Sequence, residues 1–390
     1  MIYKLSDIFD LQMGKTPTRS DLSYWQNGSY DWISISDLNT DRKYISDTKE
    51  RITTKAVRES GIKKIPANTV IMSFELSIGK TAITSHDMFS NEAIMAFIDR
   101  KVIRINPDYI YYLLHALDWN KRANKAVKGR TVNKKIISQT QVNIPDYQTQ
   151  LRIVKIMDST RKRVKIQKDI LSKLDTLIKA RFVEMFGDPV KNEKKFLTKQ
   201  LSQIGKCKNG INFHKSEIGN TVNCLTVKNF ENNQVINDTT KLAKIKLSNL
   251  PSNDYFLNNG DIVFVRSNGN KSLVGRSVLI FPNNNPTLFS GFCIRFRKDS
   301  KRLESVYLLW LLKNESIRMK MRGRGVNIQN LNQQIINNLS IPVPPIELQK
   351  EFASFVQQVD KSKVVNASIM KYIISIRFYL YFKENKEGAR

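Results

Sequence analysis

The segment IPDYQTQ at residues 144–150 opens the stretch that decides the fold, because a turn containing Pro145 leads there into a long helical pattern. Residues 148–185 contain neither Pro nor Gly, and Gly187 and Pro189 then supply a stop signal. Apolar residues recur along the stretch with a seven-residue period: Met157, Val164, Leu171 and Ile178, with Ile153 and Leu174 on the adjoining position. This pattern predicts a long helix that packs along its length against another helix.

A similar segment, VPPIELQ at residues 343–349, recurs near the other end of the chain. A proline turn again leads into a helical pattern, whose apolar seam is Phe352, Val356, Val359 and Ile373. Two such helices in one chain favour packing against each other over the alternative, in which each helix lies only on its own domain. A helix of about 35 residues spans roughly 50 Å, a length that suits a spacer.

Further short matches follow the same order in both halves of the chain. KLSDI at residues 4–8 matches QLSQI at 200–204, and IPANTVIMS at 65–73 matches LNNGDIVFV at 257–265. IGKT at 78–81 matches VGRS at 274–277, and GRTVN at 129–133 matches GRGVN at 323–327. Chance could produce any one match, but their shared order indicates an internal duplication.

Each half of the chain therefore reads as a mixed α/β domain followed by a long helix. Short β-branched runs such as 32–35, 70–73, 262–265 and 293–296 lie between Gly, Asn and Pro turns, which is typical of strands. Residues 107–117 and 303–312 have helical patterns. We expect domains at 1–147 and 187–345, and spacer helices at 148–186 and 346–390.

The charge of the chain predicts an anionic partner. Its 390 residues include 64 Lys and Arg against 35 Asp and Glu, a formal net charge of +29, and nucleic acid or an anionic membrane surface are the usual reasons for such an excess. The longest apolar stretches, 109–117 and 369–382, are short or interrupted by Lys371 and Arg377, so no membrane partner is expected. Between residues 148 and 181, ten Lys and Arg against three Asp give 10 − 3 = +7, which fits either a solvated helix face or one that runs near phosphate.

Two features predict a cytoplasmic location. Lys4, Asp7 and Asp10 interrupt the start of the chain, so no secretory leader is visible. The three cysteines, Cys207, Cys224 and Cys293, are scattered and lack pairing or metal spacing, which fits a reducing compartment.

No catalytic site can be assembled from the motifs in the sequence. Ile78-Gly79-Lys80-Thr81 is similar to the end of a phosphate-binding loop, but the first Gly that the loop requires before Gly79 is missing. Residues 106–109 are similar to an amino-methyltransferase motif, with Asp in place of its second Pro, and a helix start explains them better. Asp188 and Glu193 read as a solvated linker. The three histidines, His86, His115 and His214, show no metal-ligand spacing.

At this point the sequence resembles the specificity subunits of type I restriction–modification systems. The resemblance is carried by residues 143–150, by Ile153-Val154, by LSKLDTLI at 171–178, by RFVEMFGDP at 181–189 and by IPVPPIELQ at 341–349. The opening residues 4–8 and 14–17 are also similar to the start of such domains, so the similarity covers essentially the whole chain. The sequence departs from the family pattern at Asp146, where the second copy has Pro345.

The resemblance implies two target-recognition domains, with the two long helices packed antiparallel as a coiled-coil spacer under pseudo-two-fold symmetry. It implies a non-catalytic subunit that reads double-stranded DNA and docks two methyltransferase (modification) subunits and restriction/translocase subunits. The chain itself would bind no cofactor, whereas S-adenosylmethionine, ATP and Mg²⁺ are expected on the partner subunits. The associated activities would be adenine methylation and ATP-dependent cleavage of DNA.

Candidate DNA-binding residues are polar or cationic side chains in loops between strands, where Arg can read guanine and Asn can read adenine. In the first half they are Thr16, Thr18, Arg19, Ser34, Ser36, Asn39, Lys80 and Arg130. In the second half they are Arg266, Asn268, Asn270, Lys271, Arg276 and Arg324. Because the two sets differ, we predict an asymmetric, two-part target.

Two other classes of function are weighed against this interpretation. A self-contained DNA methyltransferase or nuclease would need a cofactor loop and a catalytic motif, and purified chain alone would then modify DNA. An RNA-binding protein with a paired-helix scaffold would prefer RNA over duplex DNA, but the aromatic strand signature of common RNA modules is missing from the sequence.

Overall fold

A computed structural model describes the chain except for residues 40–41, 76, 120–123, 127–128, 214–217, 231–233, 323–329 and 388–390. The backbone alone is described for residues 124–126, 129–131, 271, 322 and 374–387. The chain divides into two compact units, one formed by residues 1–167 and 368–390 and the other by residues 168–367. Each long helix therefore contributes residues to both units.

The first repeat comprises the strands and helices before the first long helix. Its strands are β1 (Ile2–Lys4), β2 (Phe9–Met13), β3 (Tyr30–Ile33), β4 (Tyr44–Ile45), β5 (Glu50–Ile52), β6 (Val70–Ser73), β7 (Thr81–Thr84), β8 (Phe89–Ser90), β9 (Ile94–Asp99), β10 (Asn124–Ala126), β11 (Gly129–Thr131) and β12 (Gln141–Asn143). Its helices are α1 (Leu5–Ile8), α2 (Thr54–Glu59), α3 (Pro107–Ala116) and α4 (Lys134–Gln139). The first long helix, α5 (Tyr147–Phe186), follows.

The second repeat lies between the two long helices. Its strands are β13 (Thr198–Gln200), β14 (Gly205–Asn209), β15 (Asn220–Leu225), β16 (Val235–Ile236), β17 (Ala243–Leu247), β18 (Asp261–Val265), β19 (Ser277–Ile280), β20 (Thr287–Phe289), β21 (Cys293–Lys298) and β22 (Ser340–Pro342). Its helices are α6 (Ser305–Lys313), α7 (Glu315–Arg322) and α8 (Gln333–Asn337), and the second long helix is α9 (Ile346–Glu387).

Apart from the β10–β11 pair of the first repeat, the described sheets of the two repeats have the same topology. In the first repeat one sheet has the strand order β2-β9-β6-β7-β4, a second has β5-β3-β8, and β1 pairs with β12. In the second repeat the corresponding orders are β14-β21-β18-β19-β16 and β17-β15-β20, and β13 pairs with β22. In both, two pairs of strands are parallel and their neighbours are antiparallel. The predicted mixed α/β repeat is thus confirmed strand by strand.

Backbone hydrogen bonds at the repeat ends confirm the sequence matches around Leu5 and Leu201. The amide of Leu5 donates to the carbonyl of Thr140, and the amide of Leu201 donates to that of Leu339, both at 3.0 Å. Residues 323–327, which match residues 129–133 in sequence, lie outside the described residues. In the structure Asn133 caps α4 and Asn332 caps α8, so the counterpart of Asn133 is Asn332 and not Asn327.

A buried glutamine anchors each long helix to its own repeat. The side chain of Gln150 accepts a hydrogen bond from the amide of Asn106 (2.8 Å) and donates to the carbonyls of Arg104 (3.2 Å) and Pro145 (3.0 Å). Gln349 makes the same three bonds in the second repeat, to Glu304 (2.8 Å), Arg302 (3.0 Å) and Pro344 (2.7 Å). Each buried glutamine thus has its own amide satisfied and ties the start of a long helix to the backbone of its repeat, which explains why the two segments match at this residue.

The first turns of α5 pack on the first repeat. Ile153 and Met157 are buried in its hydrophobic core beside aromatic residues of α3. Asp158 accepts hydrogen bonds from Lys43 (2.8 Å) and from the hydroxyl of Tyr112. The sequence left open whether each long helix packs on its own domain. The first turns of α5 do pack on their own domain.

The later part of α5 pairs with α9 within the second unit. Phe182 packs edge-on against Phe352, with ring centroids 5.5 Å apart, and Ile178 and Val356 lie in the same core. An ion pair joins Arg181 to Glu351 (2.9 Å), and another joins Asp175 to Lys363 (2.8 Å). Because residue numbers fall along α5 as they rise along α9, this pairing is antiparallel, as the family resemblance implied.

Local signals end the first long helix where the sequence predicted. Gly187 adopts a left-handed conformation (φ +72°), and its amide donates to the carbonyl of Val183 at 2.8 Å, as in a helix C-cap. Asp188 then accepts hydrogen bonds from two backbone amides and the hydroxyl of Ser316, which makes it a turn residue. Among the residues that the structure describes, no helix combines the length and apolar character needed to cross a membrane.

Candidate nucleic-acid interface

Four loops meet at one end of the sheets in the first repeat, and we call them the first loop cluster: residues 14–19, 34–39, 74–80 and 90–93. Backbone hydrogen bonds hold these loops together. They run from Lys15 N to Ser90 O (2.8 Å), from Asn91 N to Ile33 O (3.0 Å) and from Phe74 N to Ala93 O (3.0 Å). Their polar residues therefore share one surface although they are far apart in sequence.

The second repeat builds an equivalent surface, the second loop cluster, from residues 210–213, 225–230, 266–276 and 290–293. Its backbone bonds run from Ile211 N to Phe289 O (3.0 Å), from Ser290 N to Leu225 O (3.0 Å) and from Arg266 N to Phe292 O (2.8 Å). Each bond has a counterpart in the first cluster. The bond pattern therefore assigns equivalent positions, among them Phe74 with Arg266 and Ala93 with Phe292.

The loop between β6 and β7 closes in the same way as the loop between β18 and β19. The amide of Ser73 donates to the carbonyl of Lys80 (2.9 Å), and that of Val265 donates to Arg276 (2.9 Å). Gly79 (φ +85°) and Gly275 (φ +77°) occupy matching left-handed positions that favour glycine. The first loop spans seven residues, 74–80, and the second spans eleven, 266–276. The predicted match of Lys80 with Arg276 is thus confirmed.

The structure ties several predicted residues of the first repeat to protein partners. The hydroxyl of Thr16 bonds to Glu92, and the guanidinium of Arg19 pairs with Glu50. Arg19 also lies over the ring of Trp25, 3.9 Å from its centroid, while Thr18 is exposed beside it. Arg19 is therefore held in one place, with about half of its side chain exposed (50%).

The other predicted residues of the first repeat lie around the turn after β3. The hydroxyls of Ser34 and Ser36 are 2.8 Å apart, and Ser34 also donates to Asp37 (2.7 Å). Lys80 donates to the side-chain oxygen of Asn39, which brings together two residues 41 positions apart. The cluster therefore combines a local polar turn with a cation from another loop.

The second repeat gathers Arg266, Asn268, Asn270, Lys271 and Arg276 in a single loop. The side-chain oxygen of Asn268 accepts from the amide of Asn270 (2.7 Å), and that of Asn270 accepts from Ser272 (3.1 Å). A Cβ atom added at Gly269 would meet no atom within 4 Å, so the loop tip faces open space. Successive side-chain-to-backbone bonds thus shape the loop that carries most of the polar residues.

Two predicted arginines remain without a described side chain. Arg130 lies on β11, opposite Lys125 of β10, where only the backbone is described. Arg324 lies outside the described residues.

Within the described part of the chain, no group of three or more His, Cys, Asp or Glu residues is placed to hold a metal ion. His86 is 2.9 Å from Asp31 and 3.1 Å from the hydroxyl of Ser85, a Ser–His–Asp contact that the sequence did not indicate. Ser85, however, donates its proton to the carbonyl of Ile45 (2.7 Å), so it is not placed as a nucleophile. His115 lies 3.4 Å from the hydroxyl of Thr81, and His214 is outside the described residues.

Asp31 is an ion-pair centre rather than a catalytic carboxylate. Its burial acts to raise its pKa, but hydrogen bonds from His86 and Thr48 and the charge of Arg51 lower the pKa below its usual range. The carboxylate therefore stays ionised and links β3 to its neighbours, a structural role.

Comparison with known proteins gives consistent results. The family model described as "Type I restriction modification DNA specificity domain" matches residues 1–176 and 193–371. The chain is 24% identical over 402 residues to the type I restriction enzyme MjaIX specificity subunit of Methanocaldococcus jannaschii. The aligned region covers 96% of this chain and 90% of that protein.

Solved structures share the fold at low sequence identity. A chain from a structure on complex assembly and conformational transition of the type I R-M system is similar with a TM-score of 0.59 and 13% identity, over 100% of this chain and 96% of that chain. The type I restriction–modification S subunit from M. genitalium is similar with a TM-score of 0.50 and 12% identity, over 99% of this chain and 95% of that chain.

Proposed function

We infer the role of this chain from its family: the chain belongs to the type I restriction–modification DNA specificity proteins. It is a non-catalytic subunit for sequence-specific DNA recognition within a restriction–modification complex. The observation that carries this conclusion is the match of the family model to both repeats. These relatives do not favour a self-contained methyltransferase or nuclease, or an RNA-binding scaffold.

We propose that the first and second loop clusters are the DNA-reading surfaces. Their cations would neutralise phosphates, and their Arg and Asn side chains would reach base edges. The proposed contacts in the first repeat are Thr16, Thr18, Arg19, Ser34, Ser36, Asn39, Lys80 and Arg130. Those in the second repeat are Arg266, Asn268, Asn270, Lys271, Arg276 and Arg324. The net charge of +29 supports this proposal.

We propose an asymmetric, bipartite target, with residues 1–147 and 187–345 as target-recognition domains. The unequal lengths of the loops 74–80 and 266–276 support two different half-sites. Residues 148–186 and 346–390 would act as the spacer that sets the gap between the half-sites, and the antiparallel pairing of α5 with α9 supports this role.

We further propose that two methyltransferase (modification) subunits and restriction/translocase subunits assemble on this chain in the cytoplasm. S-adenosylmethionine, ATP and Mg²⁺ would be bound by those partners and not by this chain. The family supports this division, since a subunit that only recognises DNA needs separate subunits for chemistry.

The proposal is tested by co-expressing the chain with the methyltransferase subunit of its own system in a host without adenine methylation. Genome-wide mapping of methylated adenines should then show one bipartite motif with two unlike halves. Methyltransferase expressed alone is the control and should leave that motif unmethylated. A palindromic motif would contradict the asymmetry, and no motif at all would contradict the proposed function.

Salt dependence gives a second test of broad phosphate contact. The affinity of the assembled complex for a target duplex should fall steeply between about 50 and 200 mM salt, because lysine and arginine side chains that bind phosphates release counterions from DNA. An affinity that stays flat over that range would contradict the proposed role of the lysines and arginines.

A further inference from the structure

Phe292 stands out on the second loop cluster. Among the phenylalanines whose side chains the structure describes, it alone is exposed, with 61% of its surface accessible. A single exposed apolar residue needs no explanation in itself. The position of Phe292 does need an explanation, because this residue lies beside Arg266 on the surface proposed to face DNA.

The backbone holds Phe292 in a fixed place beside Arg266. The carbonyl of Phe292 accepts from the amides of Arg266 (2.8 Å) and Ser267 (3.4 Å), and its own amide donates to the hydroxyl of Ser290 (3.2 Å). The turn is also packed closely at Gly291, where an added Cβ atom would lie 2.1 Å from the side-chain oxygen of Asn212. An aromatic ring mounted on such a turn loses little conformational freedom on binding.

The first repeat has the opposite arrangement at the equivalent positions. Phe74, the counterpart of Arg266, is buried (3% exposed) and packs in the hydrophobic core. Ala93, the counterpart of Phe292, is also buried and presents no aromatic ring. The pairing of an exposed phenyl ring with an arginine therefore belongs to the second repeat alone.

A phenyl ring beside base-reading polar groups has one apolar feature to recognise in the major groove, the C5-methyl group of thymine. Arg266 and the asparagines of the same loop suit the hydrogen-bonding edges of that groove. We propose that Phe292 selects a thymine in the half-site of the second repeat by packing against its methyl group. This inference rests on the proposed function and adds a specificity-determining residue to it.

The test removes only the methyl group from DNA. In the mapped target duplex, each thymine is replaced in turn by deoxyuridine, and binding by the assembled complex is measured by fluorescence anisotropy. One substitution in the half-site of the second repeat should weaken binding about fourfold, the effect expected for one buried methyl group. Phe292→Ala should weaken binding to the thymine duplex and abolish the difference between thymine and deoxyuridine at that position.

Two controls sharpen this double comparison. Phe292→Leu keeps an apolar side chain and should retain part of the preference for thymine. Thymines in the half-site of the first repeat should give the same result in the wild-type and Phe292→Ala complexes. Since Phe292 is exposed, its replacement should leave thermal unfolding of the chain unchanged.

The outcomes separate this inference from the proposed function. If the wild-type complex does not distinguish its target from a scrambled duplex, the proposed function fails. If it does distinguish them but no deoxyuridine substitution in the second half-site matters, or Phe292→Ala keeps the thymine preference, only the role of Phe292 is overturned. A half-site without any A·T pair would overturn it as well.

Discussion

The loop between β6 and β7 and its counterpart between β18 and β19 close with the same pair of backbone bonds but carry different residues. The first turns Phe74 into the hydrophobic core, whereas the second places Arg266 at that position and continues for four more residues. Backbone bonds at the base of each loop preserve the scaffold, so the residues between them can change without altering the sheets. One fold can therefore carry two different loop clusters.

Exchanging the loops should give the largest effect on this comparison. Replacing residues 266–276 with residues 74–80 should reduce discrimination at the half-site of the second repeat about 10³-fold, because four of the five proposed contacts in that loop are lost and Lys80 takes the place of Arg276. Methylation mapping of the co-expressed variant measures the effect. The half-site of the first repeat should persist as the internal control. An unchanged second half-site would show that this loop does not determine specificity.

Removing the buried phenyl ring of Phe74 should lower the stability of the chain rather than change DNA recognition. Phe74→Ala should lower the free energy of unfolding by about 3 kcal/mol, since it leaves a cavity in the core of the first repeat. Phe292→Ala removes the same ring from an exposed position and is the matched control, with almost no expected change. Chemical denaturation of the full chain measures both. Equal effects would contradict the burial difference between the two loops.

Substitution of either glutamine anchor should reduce stability by a similar amount, whereas the two loops should differ in their response to substitution. Gln150→Leu and Gln349→Leu should each destabilise the chain by about 2–3 kcal/mol, because each removes three hydrogen bonds to backbone groups, one of them buried. Gln148→Leu, two residues away and exposed, is the control. Denaturation curves of the three variants test the prediction. A loss at only one of the two anchors would mean that the repeats differ in their supporting structure as well.

The smallest expected effect concerns Asp31, whose equivalent in the second repeat is Asn223. Because the pKa of Asp31 is lowered in the folded state, its ionised form contributes stability above the unfolded Asp value of about 3.9. That contribution should be lost as the pH falls below this value through the lowered pKa. In Asp31→Asn this part of the acid dependence should vanish.

Unfolding free energies of wild type and Asp31→Asn between about pH 6 and pH 3 test this. Asp47→Asn, which changes an exposed carboxylate paired with Arg42, should leave the acid dependence close to that of wild type. Identical pH profiles for all three proteins would mean that the hydrogen bonds and ion pairs of Asp31 do not contribute to the free energy of unfolding.

Local signals in the chain were enough to predict much of the architecture. The absence of Pro and Gly from residues 148–185 predicted α5, and Gly187 predicted its end. The Gly79 and Gly275 matches located a loop in each of the two loop clusters. These predictions succeed because helix continuity, left-handed turns and strand runs depend on residues close in sequence.

The side-chain environment could not be predicted in the same way. No sequence pattern distinguishes Phe74, which is buried, from Phe292, which is exposed, or reveals that Arg19 pairs with Glu50 and stacks on Trp25. The similarity between GRTVN and GRGVN matched Asn133 with Asn327, whereas the structure gives Asn332 as the cap of α8, because the counterpart of Asn133 is defined by its position in the fold.

Short stretches of the chain thus determine the order of the elements, the duplication and the two turns that lead into the long helices. Backbone propensity acts over a few residues, so local sequence is enough for these features. The surface that each repeat presents is settled by contacts between residues far apart in sequence. Packing between strands and loops determines which side chains are buried, paired or left exposed, and that information exists only once the chain has folded.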